Sequence, residues 1–326
     1  MAVQASPAAE PAAEPAQRSN TGDVTRLLIL GYGAFGRAFH AAISTRGDVD
    51  VSVYNRSQRT FDHPVQHVIA RADGIALDAY DVVVVTLPSH AIGEVLGGRA
   101  SAASESTAFV SCVKGIDATS ARFPSEVIYA STGSSFIAVM SGASFADEML
   151  AGHPVFLTFA CANPELGRRV AGQLENERLR FELTTDVRGL EVAGVGKNII
   201  ALGAGLADGL GMGENFRASF IAQGVVELSG VAQQLGGDPR TVISAGALAD
   251  FFLSCSSPKS RNYQHGLRLA REEDPDGALA EGVGSAEGFV SILRRHRISS
   301  GYFETILAAL HEPREIARAF HHGEGS

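Results

Sequence analysis

The chain has 326 residues, 45% of them hydrophobic, with 36 acidic side chains against 27 basic ones and a net charge of −9. That length and apolar content allow a large core and favour two domains over one, while the negative balance disfavours nonspecific binding to nucleic acid or to an anionic membrane. Three widely spaced cysteines, Cys112, Cys161 and Cys255, suggest neither a disulfide framework nor a zinc ribbon and fit a reducing cytoplasm.

Residues 1–22 are rich in Ala, Pro and Glu, lack the pattern of a secretory signal, and read as a disordered tail dispensable for activity. From Arg26 to about Asp186, β-rich runs alternate with helical stretches, the pattern of a largely parallel sheet covered by helices. Strands are expected at 27–30, 51–54, 81–87, 107–113, 136–142, 154–160 and 179–184, within a dinucleotide-binding domain spanning 23–186. After Asp186 the β-rich runs stop. Helical patterns follow at about 187–208, 215–235, 239–252, 275–296 and 300–320, an all-helical domain over 187–322. No apolar stretch is long and uninterrupted enough to read as a membrane span. His63 and His67 have ligand-like spacing, but Pro64 between them argues against a helical site, and no metal is expected.

The first run, LLIL, leads directly into GYGAFG and then a helical segment. In this context Gly31 allows a tight turn, Gly33 lets a pyrophosphate approach the backbone, and Gly36 lets helix and strand pack closely; Ala34 and Phe35 open the helix whose N-terminus holds the anion. At the tip of the next strand stand Asn55, Arg56 and Ser57, with no acid to bind both ribose hydroxyls of NADH. A guanidinium there suits a 2′-phosphate, which points to NADPH, with NADH possible; the alternative is a polar turn with Arg56 solvated. Pro88 in TLPSHA and Lys114 in SCVKGI end two further strands, so both should border the cofactor cleft, unless Lys114 is an ordinary loop lysine.

Between Glu191 and Asp208 runs VAGVGKNIIALGAGLA, where Lys197 is the only charge and Asn198 stands beside it. The run reads as a helix buried on most of its circumference. A lysine there either sends its head to solvent along its stem or, desolvated, exchanges a proton near neutral pH.

Taken together, GYGAFG, LPSHA, VKGID, SGASFADE, EVAGVGKNIIALGAGLADGLGMGENFRA, GGDP, ALADFFLSCSSPKSRN and EGVGSA make the chain resemble the NAD(P)-dependent glycerol-3-phosphate dehydrogenases of bacterial type, over about residues 26 to 310. The resemblance implies a Rossmann domain followed by a helical domain similar to that of 6-phosphogluconate dehydrogenase, reducing dihydroxyacetone phosphate to sn-glycerol 3-phosphate. It implies catalytic roles for Lys197, Lys114 and Asp250, with Lys197 as proton donor and Asp250 holding it. It places Asn198, Ser254, Arg261 and Asn262 at the substrate, and Glu281 with Arg261 near the cofactor. Arg261 suits a phosphate clamp because its planar fork matches phosphate oxygens; a domain-interface ion pair is the other reading. The family's usual Gln, Pro and Thr are replaced here by His90, Ala143 and Ser254. A phosphorylated small molecule is the expected partner, and a homodimer is possible. A related reductase of another anionic ketone or aldehyde is the second reading, and a non-enzymatic nucleotide sensor the third.

Overall fold

The computed structural model describes residues 24–56, 61, 63–98, 107–116, 120–273 and 281–320. The tail at 1–22, Ser57 and the side chain of Glu281 lie outside the described residues.

The first part of the chain alternates strands and helices: β1 (Thr25–Leu30), α1 (Ala34–Ile43), β2 (Val49–Tyr54), β3 (His67–Ile69), β4 (Val82–Val85), α2 (Ala91–Leu96), β5 (Ala108–Ser111), α3 (Pro124–Thr132), β6 (Ile137–Gly142), α4 (Ala146–Leu150), β7 (Val155–Cys161), α5 (Pro164–Leu174) and β8 (Leu179–Thr184). They build one sheet in the order β3-β2-β1-β4-β5-β6-β7-β8. Strands β1 to β6 run parallel, β7 is antiparallel to β6, and β8 is parallel to β7. Leu27 to Leu30 and Val82 to Val85 are fully buried, as expected of central parallel strands covered on both faces, which read as continuous apolar runs. Strand order reverses between β1 and β4. That switch point opens a crevice at the carboxyl ends of the two strands.

The second part is helical: α6 (Val187–Gly209), α7 (Glu214–Gln234), α8 (Pro239–Val242), α9 (Ala245–Ser256), α10 (Arg261–Ala270), α11 (Glu281–Arg295) and α12 (Gly301–Ala309), followed by a 3-10 turn at Pro313–Phe320. The stretch expected as one helix at 239–252 is two, because Ser244 is extended and starts α9 afresh. Likewise the expected 300–320 helix stops at Ala309, before Pro313, where the chain tightens into the 3-10 turn.

Helix α6 runs through the middle of this part, with every residue from Gly189 to Ala207 buried. By length and composition it would pass for a membrane span, yet its apolar window is wholly buried inside the protein. Its glycines set how closely neighbours approach. A Cβ on Gly205 would lie 2.0 Å from the Tyr263 carbonyl oxygen, and one on Gly266 would lie 2.1 Å from that of Leu202, so α6 and α10 meet backbone to backbone. The side chain of Asp186 starts α6 by accepting from Gly189 N at 2.9 Å, and also accepts from Asp238 N at 2.8 Å, tying the α7–α8 turn to the same point.

One buried acid joins the two parts. Glu191 of α6 accepts from Ser125 N and Ser125 Oγ, both at 2.8 Å, at the start of α3. Beside it Arg188 bonds Glu126 at 2.6 Å and lies 4.3 Å above the Phe123 ring. Burial pushes the Glu191 carboxyl up to about 7, against the opposing pull of the Ser125 donors and Arg188. Because the folded state then holds this proton more tightly than the unfolded chain, the group favours folding below the ordinary carboxyl range and loses that contribution as pH rises through about 7. Glu191→Gln should therefore flatten the decline in melting temperature between about pH 5 and about pH 8. An unchanged slope would show that Glu191 does not titrate there.

Candidate active site

At the switch point, Gly31 follows β1 with φ of +100°, a conformation that favours glycine. A Cβ on Gly36 would lie 2.3 Å from the Gly31 oxygen, so turn and helix are in direct contact. Nothing lies within 4 Å of a Cβ built on Gly33, which leaves open space above the loop. Gly33 caps α1 without a side-chain acceptor, and Gly33 and Ala34 are exposed, followed by half-buried Phe35. The first amides of α1 thus suit a pyrophosphate, and the loop fits a dinucleotide.

The loop is braced from both sides. Thr86 Oγ1 donates to the Gly31 oxygen at 2.6 Å, locking the TLPSHA segment with its exposed Pro88 beside the turn. Tyr32 and the buried His40 are 2.7 Å apart, and His40 Nε2 lies 3.1 Å from the Pro64 carbonyl. A carbonyl only accepts, so Nε2 carries the proton and Nδ1 accepts from the Tyr32 hydroxyl. Burial keeps His40 below the ordinary histidine range despite its bond to Pro64. At the tip of β2, Asn55 is half-buried and Arg56 is exposed, its Nη1 3.4 Å from Glu94 Oε1 on α2.

A second cluster forms where the helical part meets the carboxyl ends of β5 and β6. Lys114 Nζ, after β5, donates to Asp250 Oδ2 at 2.6 Å and to the Gly142 carbonyl at 3.0 Å. Lys197 Nζ, on α6, donates to Asp250 Oδ1 at 3.0 Å and to Ser254 Oγ at 2.8 Å. Ser254 sits one turn beyond Asp250 on α9 and donates to the same Oδ1 at 3.1 Å. Asp250 is 3% exposed and Lys197 8% exposed, so the charges are screened by few waters. Burial alone would raise the Asp250 carboxyl, but the ammonium groups of Lys114 and Lys197 outweigh it and hold the group below the usual range. With both amines protonated, the trio carries one net positive charge in a buried place. That is the electrostatic complement of an oxyanion.

The amides named from the sequence have structural partners. Asn198 Nδ2 donates to the Lys114 carbonyl at 3.0 Å, and Asn262 Oδ1 accepts from Gly282 N at 2.9 Å, at the start of α11. Arg261 opens α10 with an exposed side chain, next to the capping Ser260. Its neighbour Lys259 reaches Asp147 at 2.8 Å and Glu148 at 3.0 Å, joining the SPKSRN segment to SGASFADE. Three groups that sequence reasoning passed over steady the Lys114 loop. Besides the Gly142 carbonyl, Ser89 Oγ donates to the Ile116 oxygen at 3.0 Å, and Ser285 Oγ accepts from Ile116 N at 3.4 Å. A backbone carbonyl has no signature in sequence, and serines so far apart are related only by folding.

The family models described as NAD-dependent glycerol-3-phosphate dehydrogenase N-terminus and C-terminus match residues 26–167 and 186–321. The chain belongs to the NAD-dependent glycerol-3-phosphate dehydrogenase family. It is 32% identical over 303 residues to the glycerol-3-phosphate dehydrogenase (NAD(P)+) of Brucella canis, covering 88% of this chain and 93% of that protein. It is 34% identical over 280 residues to the enzyme of the same name from Paracoccus denitrificans, covering 82% and 87%. Among solved structures, glycerol-3-phosphate dehydrogenase from Coxiella burnetii shares the fold with a TM-score of 0.80 at 24% identity, over 92% of this chain and 99% of that one. A ketopantoate reductase from Ralstonia eutropha shares it more loosely, with a TM-score of 0.58 at 16% identity, over 90% and 99%. Fold alone therefore spans more than one reductase, and family membership rests on the sequence matches.

Proposed function

We propose that this chain reversibly reduces dihydroxyacetone phosphate to sn-glycerol 3-phosphate with NADPH, and accepts NADH. The observation that carries the reading is the buried Lys114–Asp250–Lys197 arrangement, in a chain of this family. Residues 23–186 would hold the cofactor through Gly31, Gly33, Gly36 and the amides of Ala34 and Phe35, with Asn55 and Arg56 at its 2′-phosphate. Pro88, Lys114, Arg261 and Glu281 would border the nicotinamide end. Residues 187–322 would carry the substrate, in a cytoplasmic enzyme that is a homodimer with neither nucleic-acid nor membrane partners.

NADPH, when bound, supplies the hydride. The chain supplies the rest. Lys197 donates a proton to the carbonyl oxygen as negative charge develops there, and in the reverse direction its neutral amine takes the proton from the alcohol. Lys114 stabilises the same oxygen, and Asp250 fixes both amines so that neither reorganises during reaction. Ser254 accepts from Lys197 and donates to Asp250, closing the triangle of hydrogen bonds that holds the amine. Asn198 sets the Lys114 loop, Asn262 orders the start of α11, and both border the substrate hydroxyls. Arg261 binds the phosphate.

An NADPH-oxidation screen tests the reading with dihydroxyacetone phosphate beside dihydroxyacetone, the phosphonate analogue and ketopantoate. Oxidation should require the phosphate or phosphonate. A preference for ketopantoate would support instead a reductase of another anionic ketone.

For the cofactor, Arg56→Ala should raise the Michaelis constant for NADPH while barely changing that for NADH, since only NADPH carries the 2′-phosphate. Equal effects on both would remove Arg56 from that role.

A further inference from the structure

We propose that Glu94 is a specificity-determining residue that holds down the preference for NADPH, by occupying the guanidinium that reads the 2′-phosphate. The proposal rests on the reading of Arg56 above. No acid stands at the tip of β2, where one would bind the ribose hydroxyls of NADH; the segment reads Asn55, Arg56, Ser57. Yet a carboxylate reaches that place from another element. Glu94 lies on α2, just beyond the TLPSHA loop that borders the crevice, and its Oε1 is 3.4 Å from Arg56 Nη1. Both side chains are about two-thirds exposed, so a cofactor has access to them.

Arg56 thus enters the binding reaction already paired. A 2′-phosphate must displace Glu94 or share the guanidinium with it, and a phosphate dianion beside a carboxylate is repelled at short range. NADH has a neutral hydroxyl at the same position and meets neither cost. The pair therefore narrows the difference between the two cofactors, which suits an enzyme that uses both. The pair is exposed and solvent-screened, so the expected effect is moderate.

The test is equilibrium titration calorimetry on the full chain without substrate, using NADPH, NADH, 2′,5′-ADP and 5′-AMP as ligands. Wild type is compared with Glu94→Gln, Arg56→Ala and the double variant. Glu94→Gln should bind NADPH and 2′,5′-ADP about three- to fivefold more tightly and leave NADH and 5′-AMP within about twofold of wild type. In the Arg56→Ala background the same change should give a clearly smaller gain, because competition for the guanidinium is gone and only the repulsion between carboxylate and phosphate remains to be relieved. If Glu94→Gln leaves NADPH affinity unchanged, or tightens all four ligands alike, the proposal is overturned while the role of Arg56 stands. Should Arg56→Ala weaken NADPH and NADH equally, the underlying reading of Arg56 fails, and the proposal with it.

Discussion

Lys197→Ala should lower turnover by about two to four orders of magnitude while leaving NADPH affinity close to that of wild type. The amine is placed by Asp250 and Ser254, not by the glycine loop, so its removal leaves the residues assigned to the cofactor intact. Alanine also leaves Asp250 with Lys114 as its single described ammonium partner, and a hole in α6 where the stem packed. Folding is therefore checked independently, with Lys197→Met, which keeps most of the volume and removes the charge. Both variants should bind NADPH and both should turn over slowly. A variant that melts like wild type, binds NADPH and reduces the ketone at the wild-type rate would make Lys197 structural and leave proton transfer to Lys114 or to water.

Arg261→Lys should already be costly, although it conserves charge. An ammonium cannot reproduce the two parallel bonds that a guanidinium makes to a phosphate, so kcat/KM for dihydroxyacetone phosphate should fall about tenfold or more. The side chain is exposed in the structure, which places the expected loss below that of a fully buried ion pair. Unphosphorylated dihydroxyacetone is the control: it should be a poor substrate for wild type and no poorer for the variant. Equal losses on both substrates would make Arg261 a residue that holds α10 in place, and would strengthen the case for a different anionic substrate.

How far the site was legible in the sequence depends on how locally each part is encoded. The glycine loop is local: strand, spacing and helix stand within a few residues, and Gly31 and Gly36 take the conformation and contact that the motif demands. Lys197 was visible as a charge inside an apolar run, and the structure buries that run on all sides. Asp250 is different. It lies 53 residues from Lys197 and 136 from Lys114, so only the family resemblance connected it to them. Helix α10 escaped notice because it is only ten residues long and its inward face mixes polar groups and glycine, Asn262, His265 and Gly266, with the apolar Tyr263, Leu267 and Ala270, which blurs the apolar stripe in sequence. Strand β3 escaped because it is three residues long with no buried position. Glu94 carries no motif at all; only the approach of α2 to the tip of β2 gives it meaning.

The most direct measurement of the central claim is a single-turnover reaction of the wild-type chain with dihydroxyacetone phosphate and limiting NADPH, with the product resolved by stereochemistry. The account predicts one sn-glycerol 3-phosphate formed for each NADPH oxidised, and loss of both signals together in Lys197→Met. NADPH consumed without that product, or the opposite enantiomer formed, would contradict it.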